Sequence, residues 1–237
     1  MTTEVVADHT VGIRFKTFHE RHPLPDLNTE LLARLMEWAE YENQVTEGLI
    51  VRDRIPEEYR LWGDWDQGVW GFLDTEGREL TEDEKQDYRN GVCRTAFCMA
   101  GQAATQSGYR LIFGPHDNSN RERDGVLHHG FSAQMVIQVQ ETGRFGPRGF
   151  PIMEDVPGAN RQDVGAVGRE VLGLNHEESS AFFDGDNNLL TLQRYCNTFY
   201  AARNLPPLYP GLGMAYVESP NYEVIDAAEY PESDDDY

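Results

Sequence analysis

The chain has 237 residues, and its 20 lysines and arginines against 41 aspartates and glutamates give a formal net charge of −21 at pH 7. A surface of this sign repels phosphate groups, which excludes nucleic acids and acidic membranes as expected direct partners. The three cysteines do not make a disulfide framework, and no segment is apolar over the length that a bilayer demands.

A strand and a long helix are predicted near the N-terminus. Apolar residues alternate over Val11–Phe15, which is typical of a half-buried strand. After two prolines, Asn28 and Thr29 offer a cap for a helix that begins near Glu30. The apolar stripe that this helix should bury comprises Leu31, Leu32, Leu35, Met36, Trp38 and Ala39. The carboxylates expected to face outward are Glu37, Glu40 and Glu42.

An aromatic loop is predicted over Arg54–Phe72, where Trp62, Trp65 and Trp70 stand among glycines and carboxylates without a clean period. Tryptophans in such a segment either form a ligand platform or clamp the segment onto the core. The three tryptophans are therefore candidate binding residues, with core packing as the alternative. The mostly charged run from Thr75 to Asn90 is expected to be a solvated turn and a short helix.

A small-faced helix is predicted over Thr95–Ser107, after a turn at Gly91, and we expect other elements to approach it closely. Cys93 would lie in the turn, and Cys98 would lie in the first helical turn, where exposed N–H groups favour a thiolate. The alternative is that both thiols are small apolar packing groups, as buried free cysteines commonly are.

A sheet is predicted after this helix. Tyr109–Phe113 indicates a strand, His116–Gly125 a polar excursion, and Phe131–Gln140 a long strand with one buried face. The segment Gly143–Gly158 is punctuated by glycine and proline, which favours a loop that covers a surface or meets a partner.

Three helices are predicted towards the C-terminus, over Asn160–Leu172, Asn175–Phe183 and Asn187–Arg203. Gly173 should end the first, and Asn175 with Glu178 has the spacing of a capping box for the second. Gly213–Val217 is expected to return as an edge strand.

These elements predict a single α+β domain of residues 1–217, with a mainly helical core and a small antiparallel sheet. Residues 218–237 contain no basic residue, and we expect them to form an acidic, flexible C-terminal tail.

Two chemical sites are possible around the cysteines. Cys93 after a Gly-Val turn, with His129 before a strand, has the order used by transglutaminase-like and papain-type folds, and would make a cysteine-dependent acyl-transfer or hydrolytic enzyme. Cys93, Cys98 and either His128 or His129 could instead hold zinc, although Cys-x4-Cys lacks a second paired-ligand motif. The acidic run at Asp184 lacks the glycine and glutamate of a calcium loop, so no cofactor is expected.

The order of motifs resembles a group of proteins from actinobacterial phages and their hosts, over roughly residues 57–203. The motifs that carry the resemblance are Trp65-Asp66-Gln67 with Trp70, Cys93-Arg94-Thr95-Ala96-Phe97-Cys98-Met99-Ala100-Gly101, Leu172-Gly173-Leu174 with Glu178 and Phe182-Phe183, and Gly185-Asp186-Asn187. The chain departs from the group at Arg94, where glycine is usual, and by a longer insert from Tyr109 to Pro157. The resemblance implies a small phage-type accessory protein and supplies no reaction.

The function expected from the sequence is therefore that of a non-enzymatic, acidic interaction protein in the cytoplasm, acting on a basic host or phage protein. The cysteine enzyme is the first alternative to this expectation. The zinc-stabilised binding module is the second.

Overall fold

A computed structural model of the chain describes residues 4–7, 11–15, 23–60, 62–74, 95–113, 118–123, 126–145, 151–218 and 222–226. Within these ranges the chain combines α-helices with small sheets, so the predicted α+β class is confirmed. The described α-helices are α1 (Thr29–Thr46), α2 (Glu57–Arg60), α3 (Met99–Gln106), α4 (Val164–Leu172), α5 (His176–Phe182) and α6 (Leu189–Ala202). The described strands are β1 (Glu4–Ala7), β2 (Val11–Phe15), β3 (Asp64–Trp65), β4 (Phe72–Asp74), β5 (Thr95–Phe97), β6 (Tyr109–Ile112), β7 (Asn118–Arg123), β8 (Val126–Ser132), β9 (Met135–Phe145), β10 (Pro151–Asp155), β11 (Gln162–Asp163) and β12 (Tyr222–Asp226).

The chain divides into two compact units. The larger unit comprises residues 28–172 and 183–187, and the smaller unit comprises residues 1–27, 173–182 and 188–237. The predicted boundary between a domain of residues 1–217 and a tail stays a prediction.

Helix α1 of the larger unit begins where the sequence indicates. The Asn28 side chain accepts a hydrogen bond from the N–H of Leu31 at 3.1 Å, and the apolar stripe is buried as expected. Glu42 was predicted to face outward, and this is wrong, because its side chain is only 2% exposed. Its partner is Arg52, which is described with the candidate site.

Helix α3 begins four residues later than predicted. Thr95–Phe97 form strand β5, which pairs in parallel with β3 and antiparallel with β4. The backbone hydrogen bonds of these residues are therefore used within a sheet, and Cys98 is the N-cap instead of lying in the first helical turn. Gly91, Cys93 and the charged run over residues 75–90 lie outside the described residues.

The predicted strand Phe131–Gln140 is two strands. Strand β8 ends at Ser132 in a sheet of described order β3-β5-β4-β8-β7, and β9 begins at Met135 in another sheet, paired with β6, β10 and β11. At the break, the N–H of Ala133 donates to the carbonyl oxygen of Gly71, and the N–H of Val164 donates to that of Gln134. The backbone changes partners here, which an alternating sequence pattern does not reveal.

Two segments predicted to be irregular contain strands. Part of the polar excursion forms β7, which pairs with β8, and part of the Gly143–Gly158 loop forms β10, which pairs with β9. Both predictions are wrong because the backbone hydrogen bonds of each segment are supplied by a neighbouring strand, which the composition of the segment itself does not reveal.

Helices α3 and α4 approach each other closely, as predicted for a small-faced helix. A Cβ atom built on Gly168 of α4 would lie 2.8 Å from the Cα and Cβ atoms of Ala100 in α3. Ala100, Ala103 and Ala104 are completely buried. The contact therefore depends on the absence of side-chain volume on both helices.

The smaller unit contains two of the three predicted C-terminal helices, α5 and α6. The Asn175 side chain accepts from the N–H of Glu178 at 2.7 Å, and the Glu178 carboxylate accepts from the N–H of Asn175 at 3.0 Å, which confirms the capping box. Phe182 of α5 meets Phe199 of α6 edge to face, with ring centroids 5.5 Å apart.

A buried ion pair joins these helices. The guanidinium of Arg203 donates to both carboxylate oxygens of Glu178 at 2.9 Å, and also to the carbonyl oxygens of Pro25, Phe199 and Gly173. The Glu178 side chain is 0% exposed and that of Arg203 is 9% exposed. One arginine thereby fixes the end of α6, the start of α5 and the segment before residue 28.

After α6 the chain is held by side chains instead of by a sheet. The Asn197 amide donates to the carbonyl oxygens of Tyr209 and Leu212 at 2.9 Å and accepts from the N–H of Tyr209. Thr198 donates to the carbonyl oxygen of Ala215 at 2.7 Å. Gly213–Val217 is therefore not the predicted edge strand. In the segment expected to be a tail, Tyr222–Asp226 pair with β2, which also pairs with β1.

Removing the charge of Glu178 should lower the stability of the fold more than removing a neighbouring charge does. We expect Glu178→Gln to lower the free energy of unfolding by about 3–5 kcal/mol, because it leaves the Arg203 cation buried without its counter-charge. Glu177→Gln, on the same turn of α5, should cost less than about 1 kcal/mol. Urea denaturation of both variants measures the difference, and equal losses would show that the pair does not stabilise the fold.

Candidate functional site

The Trp-Asp-Gln segment closes onto the start of α3 in the larger unit. The N–H of Asp66 donates to the carbonyl oxygen of Phe97, and the N–H of Cys98 donates to that of Val69, both at 2.8 Å. The Asp66 carboxylate accepts from the N–H of Gly68 at 3.2 Å, which tightens the turn. The loop is therefore attached by its backbone to the residues immediately before the helix.

Gln67 supplies the cap that Cys98 does not. The Cys98 side chain makes no capping hydrogen bond, whereas the buried Gln67 side-chain oxygen lies 3.4 Å from the N–H of Met99 and 3.4 Å from the indole nitrogen of Trp65. An acceptor from a distant loop thus satisfies a helix N–H group that the local sequence leaves open.

Glycine allows this loop to touch the helix. A Cβ atom built on Gly101 would overlap the backbone carbonyl of Trp70, and one built on Gly185 would lie 3.3 Å from the Cα atom of Gly68. The Trp70 ring meets Phe183 edge to face at 6.1 Å. The Trp-Asp-Gln segment, the start of α3 and the Gly185 turn, which are motifs of the resemblance to the phage group, therefore meet in one place.

Cys98 lies at this junction with its thiol buried. Burial, with a smaller contribution from the charge of Asp66, raises the pKa of Cys98 to about 11, although nearby backbone hydrogen bonds oppose the change. The neutral thiol is thereby favoured, which contradicts the thiolate that the helix start was expected to promote. Cys98 is 1% exposed and acts as a packing group.

The three candidate binding tryptophans occupy different surroundings. Trp62 is buried, with ring centroids 6.1 Å from Trp38 and 5.1 Å from Tyr59, and with the Arg34 guanidinium 5.1 Å from its ring. Trp65 and Trp70 are half-buried beside the α3 junction. Core packing thus accounts for Trp62, and a ligand role for these residues stays a prediction.

The predicted catalytic pair of Cys93 and His129 falls mostly outside what the structure describes. Cys93 lies outside the described residues, and His129 is described only through its backbone in β8, opposite Asn120. Within the described ranges, His, Cys, Asp and Glu side chains form no group of three or more that could hold a metal ion. The cysteine enzyme and the zinc site therefore stay predictions.

An acidic stretch of the larger unit begins in the second half of α1. Residues 37–66 contain nine carboxylates and three arginines. Glu37, Glu47, Asp53, Glu57 and Glu58 are all exposed. This stretch of the larger unit therefore presents a dense negative field to solvent.

One arginine of this stretch is held by carboxylates of the protein itself. The Arg52 guanidinium donates to both oxygens of buried Glu42, at 3.1 and 2.7 Å, and forms an ion pair with Asp64 at 2.7 Å. Sequence reasoning missed this site. The signal was present, because Glu42 follows Trp38 by four residues and therefore continues the apolar stripe of α1, where a charge needs a partner.

Exposed apolar residues also follow α1, and they were not predicted. Leu49 is 68% exposed and Val51 is 66% exposed, between the exposed carboxylates of Glu47 and Asp53. Large aliphatic side chains left outside a well-formed core are candidate contact residues.

No protein-family model, no curated protein and no solved structure matches the chain. The resemblance to the phage and actinobacterial group thus remains an expectation from the sequence. Among the described helices, none combines the length and apolar character that a membrane span requires.

Replacing Gly101 by alanine tests this contact, because helix propensity and steric overlap change the stability in opposite directions. Alanine in a helix interior normally stabilises by about 1 kcal/mol relative to glycine. We expect Gly101→Ala to lower the thermal midpoint instead, because its Cβ atom would meet the Trp70 carbonyl. Gly211→Ala, at φ +85° with no atom within 4 Å, is the control and should cost only about 1 kcal/mol of backbone strain. A stabilised Gly101→Ala protein would disprove the close contact.

The Tyr59 phenol should make the stability of the fold depend on pH in the alkaline range. Its hydroxyl donates to Glu37 at 2.8 Å, and burial, followed by the hydrogen bond and charge of Glu37, raises the pKa of Tyr59 to about 12. The folded protein therefore keeps this proton above the ordinary value of about 10, and its stabilising contribution is lost as pH rises from there through about 12. We expect Tyr59→Phe to flatten this part of the profile of thermal midpoint against pH. Tyr41→Phe should leave the profile steep, and two identical profiles would contradict the assignment.

Proposed function

We propose that the protein is a non-enzymatic, acidic interaction protein that binds a basic surface of another protein. The observation that supports this most directly is the density of exposed carboxylates along residues 37–66 of the larger unit. Such a field attracts lysine- and arginine-rich surfaces and speeds their association. It also repels nucleic acid phosphates, so the expected partner is a protein.

The internal use of arginine strengthens this surface. Arg52 is turned towards Glu42 and Asp64, and Trp62 covers one face of the Arg34 guanidinium. Arg52 is therefore engaged within the molecule, whereas Arg54 and Arg60 are exposed among the more numerous exposed carboxylates. A basic partner would meet these carboxylates without displacing the ion pairs that hold the fold.

The resemblance of the sequence to the phage and actinobacterial group makes a host or phage protein the expected partner. A cytoplasmic site of action agrees with the small, odd number of cysteines. We place the function in binding because the start of α3, where the motifs of the resemblance meet, is built from packing groups and from the capping side chain of Gln67.

Affinity capture from an actinobacterial lysate tests the proposal. Immobilised protein should retain basic proteins at low salt and release them at high salt, since exposed charges are screened by ions. The triple variant Asp53→Asn, Glu57→Gln, Glu58→Gln should lose most of this capture. Glu141→Gln, Glu154→Gln, Glu170→Gln removes three other exposed charges and should retain it.

Mass spectrometry identifies the captured proteins, and the most enriched one is then purified and titrated against both variants. A blank capture, or a capture that is equal in both variants and insensitive to salt, would refute the acidic interaction function.

A further inference from the structure

A short row of exposed side chains follows α1, and we call it the outward ridge: Glu47, Leu49, Val51 and Asp53. All four are exposed, and they alternate with the half-buried Ile50 and Arg52 on either side of Val51. The ridge thus presents a carboxylate, two aliphatic side chains and a second carboxylate in order.

The backbone of the ridge is fixed at both ends. Gly48, at φ +71°, ends α1, and the N–H of Leu49 donates to the carbonyl oxygen of Gln44 at 2.9 Å. At the other end, the N–H of Arg54 donates to the carbonyl oxygen of Val51 at 2.8 Å. The next residue, Ile55, is 2% exposed and anchors this end in the core. The two aliphatic side chains are therefore displayed by an ordered segment, which lowers the entropy lost when a partner covers them.

The charges around the ridge are mainly negative. Arg52 is engaged by Glu42 and Asp64, and the Asn43 amide donates to the Glu47 carboxylate at 3.0 Å. Arg54 is exposed beside Asp53, but the exposed carboxylates of Glu57 and Glu58 follow it. A partner that covers the ridge must therefore bring positive charge to its rim.

We propose that the outward ridge docks a basic amphipathic segment of the partner protein, with two apolar side chains over Leu49 and Val51 and a lysine or arginine at each carboxylate. This inference rests on the proposed acidic interaction function and assigns its contact point. A second copy of the ridge does not fit, because it would place carboxylates against Glu47 and Asp53. Acidic lipid headgroups are repelled in the same way.

Two synthetic peptides separate the apolar contact from general charge attraction. One is built of repeated Lys-Leu-Leu-Lys units, and the other has the same length and charge but repeated Lys-Ser-Ser-Lys units. We expect the leucine peptide to bind the protein about tenfold more tightly at low salt, which corresponds to ~1.4 kcal/mol. Fluorescence anisotropy of the labelled peptides measures both affinities.

Variants of the ridge show which residues cause the preference for the leucine peptide. Leu49→Ser with Val51→Ser should abolish the preference for leucine and leave the affinity for the serine peptide unchanged. Leu190→Ser with Leu205→Ser changes leucines that are 46% and 37% exposed elsewhere and should keep the preference. Glu47→Gln with Asp53→Asn should weaken both peptides and reduce the salt dependence, which tests the rim even if the serine variant fails to fold.

A leucine preference that survives Leu49→Ser with Val51→Ser would overturn the ridge as the docking site. Equal binding of the two peptides would also overturn it, while leaving the acidic interaction function in place. Failure of both peptides to bind, together with a blank lysate capture, would instead refute the function on which the inference rests.

Discussion

The close approach of backbone to α3 is the constraint on which the larger unit depends. Gly101 leaves room for the Trp70 carbonyl, and Gly168 of α4 leaves room for Ala100. Because a packed interior tolerates little extra volume, one methyl group at either glycine would move a neighbouring element. The loop that carries Gln67 can cap the helix only while this spacing holds. The small residues of α3 are thus a requirement of geometry and not of chemistry.

Local signals predicted much of the fold. Asn28 caps α1 and the Asn175–Glu178 pair caps α5, because each cap joins residues three apart in sequence and is readable from their types alone. The strand Val11–Phe15 was readable from its alternating pattern. The end of helix α4 was readable from Gly173, a glycine that adopts a positive φ. The failures concern partners that are distant in the chain. Thr95–Phe97 pair with residues near 65 and 72, and the long strand breaks at Ala133 because its hydrogen-bond partners change there.

The candidate site shows the same division. Sequence reasoning singled out Trp62, but its burial depends on Trp38 of α1 as well as on the neighbouring Tyr59. It assigned Glu42 to the solvent, although the stripe of α1 placed it inside, because the compensating Arg52 lies ten residues away. Leu49 and Val51 were overlooked, since a short apolar run after a helix is usually read as core. Only the position of the turn beyond Gly48 decides that these side chains remain outside.

Rigidity and charge act together in this molecule. Arg203 and Arg52 each bind a fully or almost fully buried carboxylate, so each is a cation whose removal would leave a charge uncompensated inside the protein. These pairs hold the segments next to them in a single arrangement, and Arg52 lies between Val51 and Asp53 in the segment that carries the outward ridge. A surface charge contributes to association mainly through steering, whereas a fixed apolar contact prolongs the bound state. An acidic surface with a rigid aliphatic pair at its centre combines both properties. Under the proposed function, the aliphatic pair would supply the selectivity that the carboxylates lack, because attraction alone does not distinguish among cationic proteins.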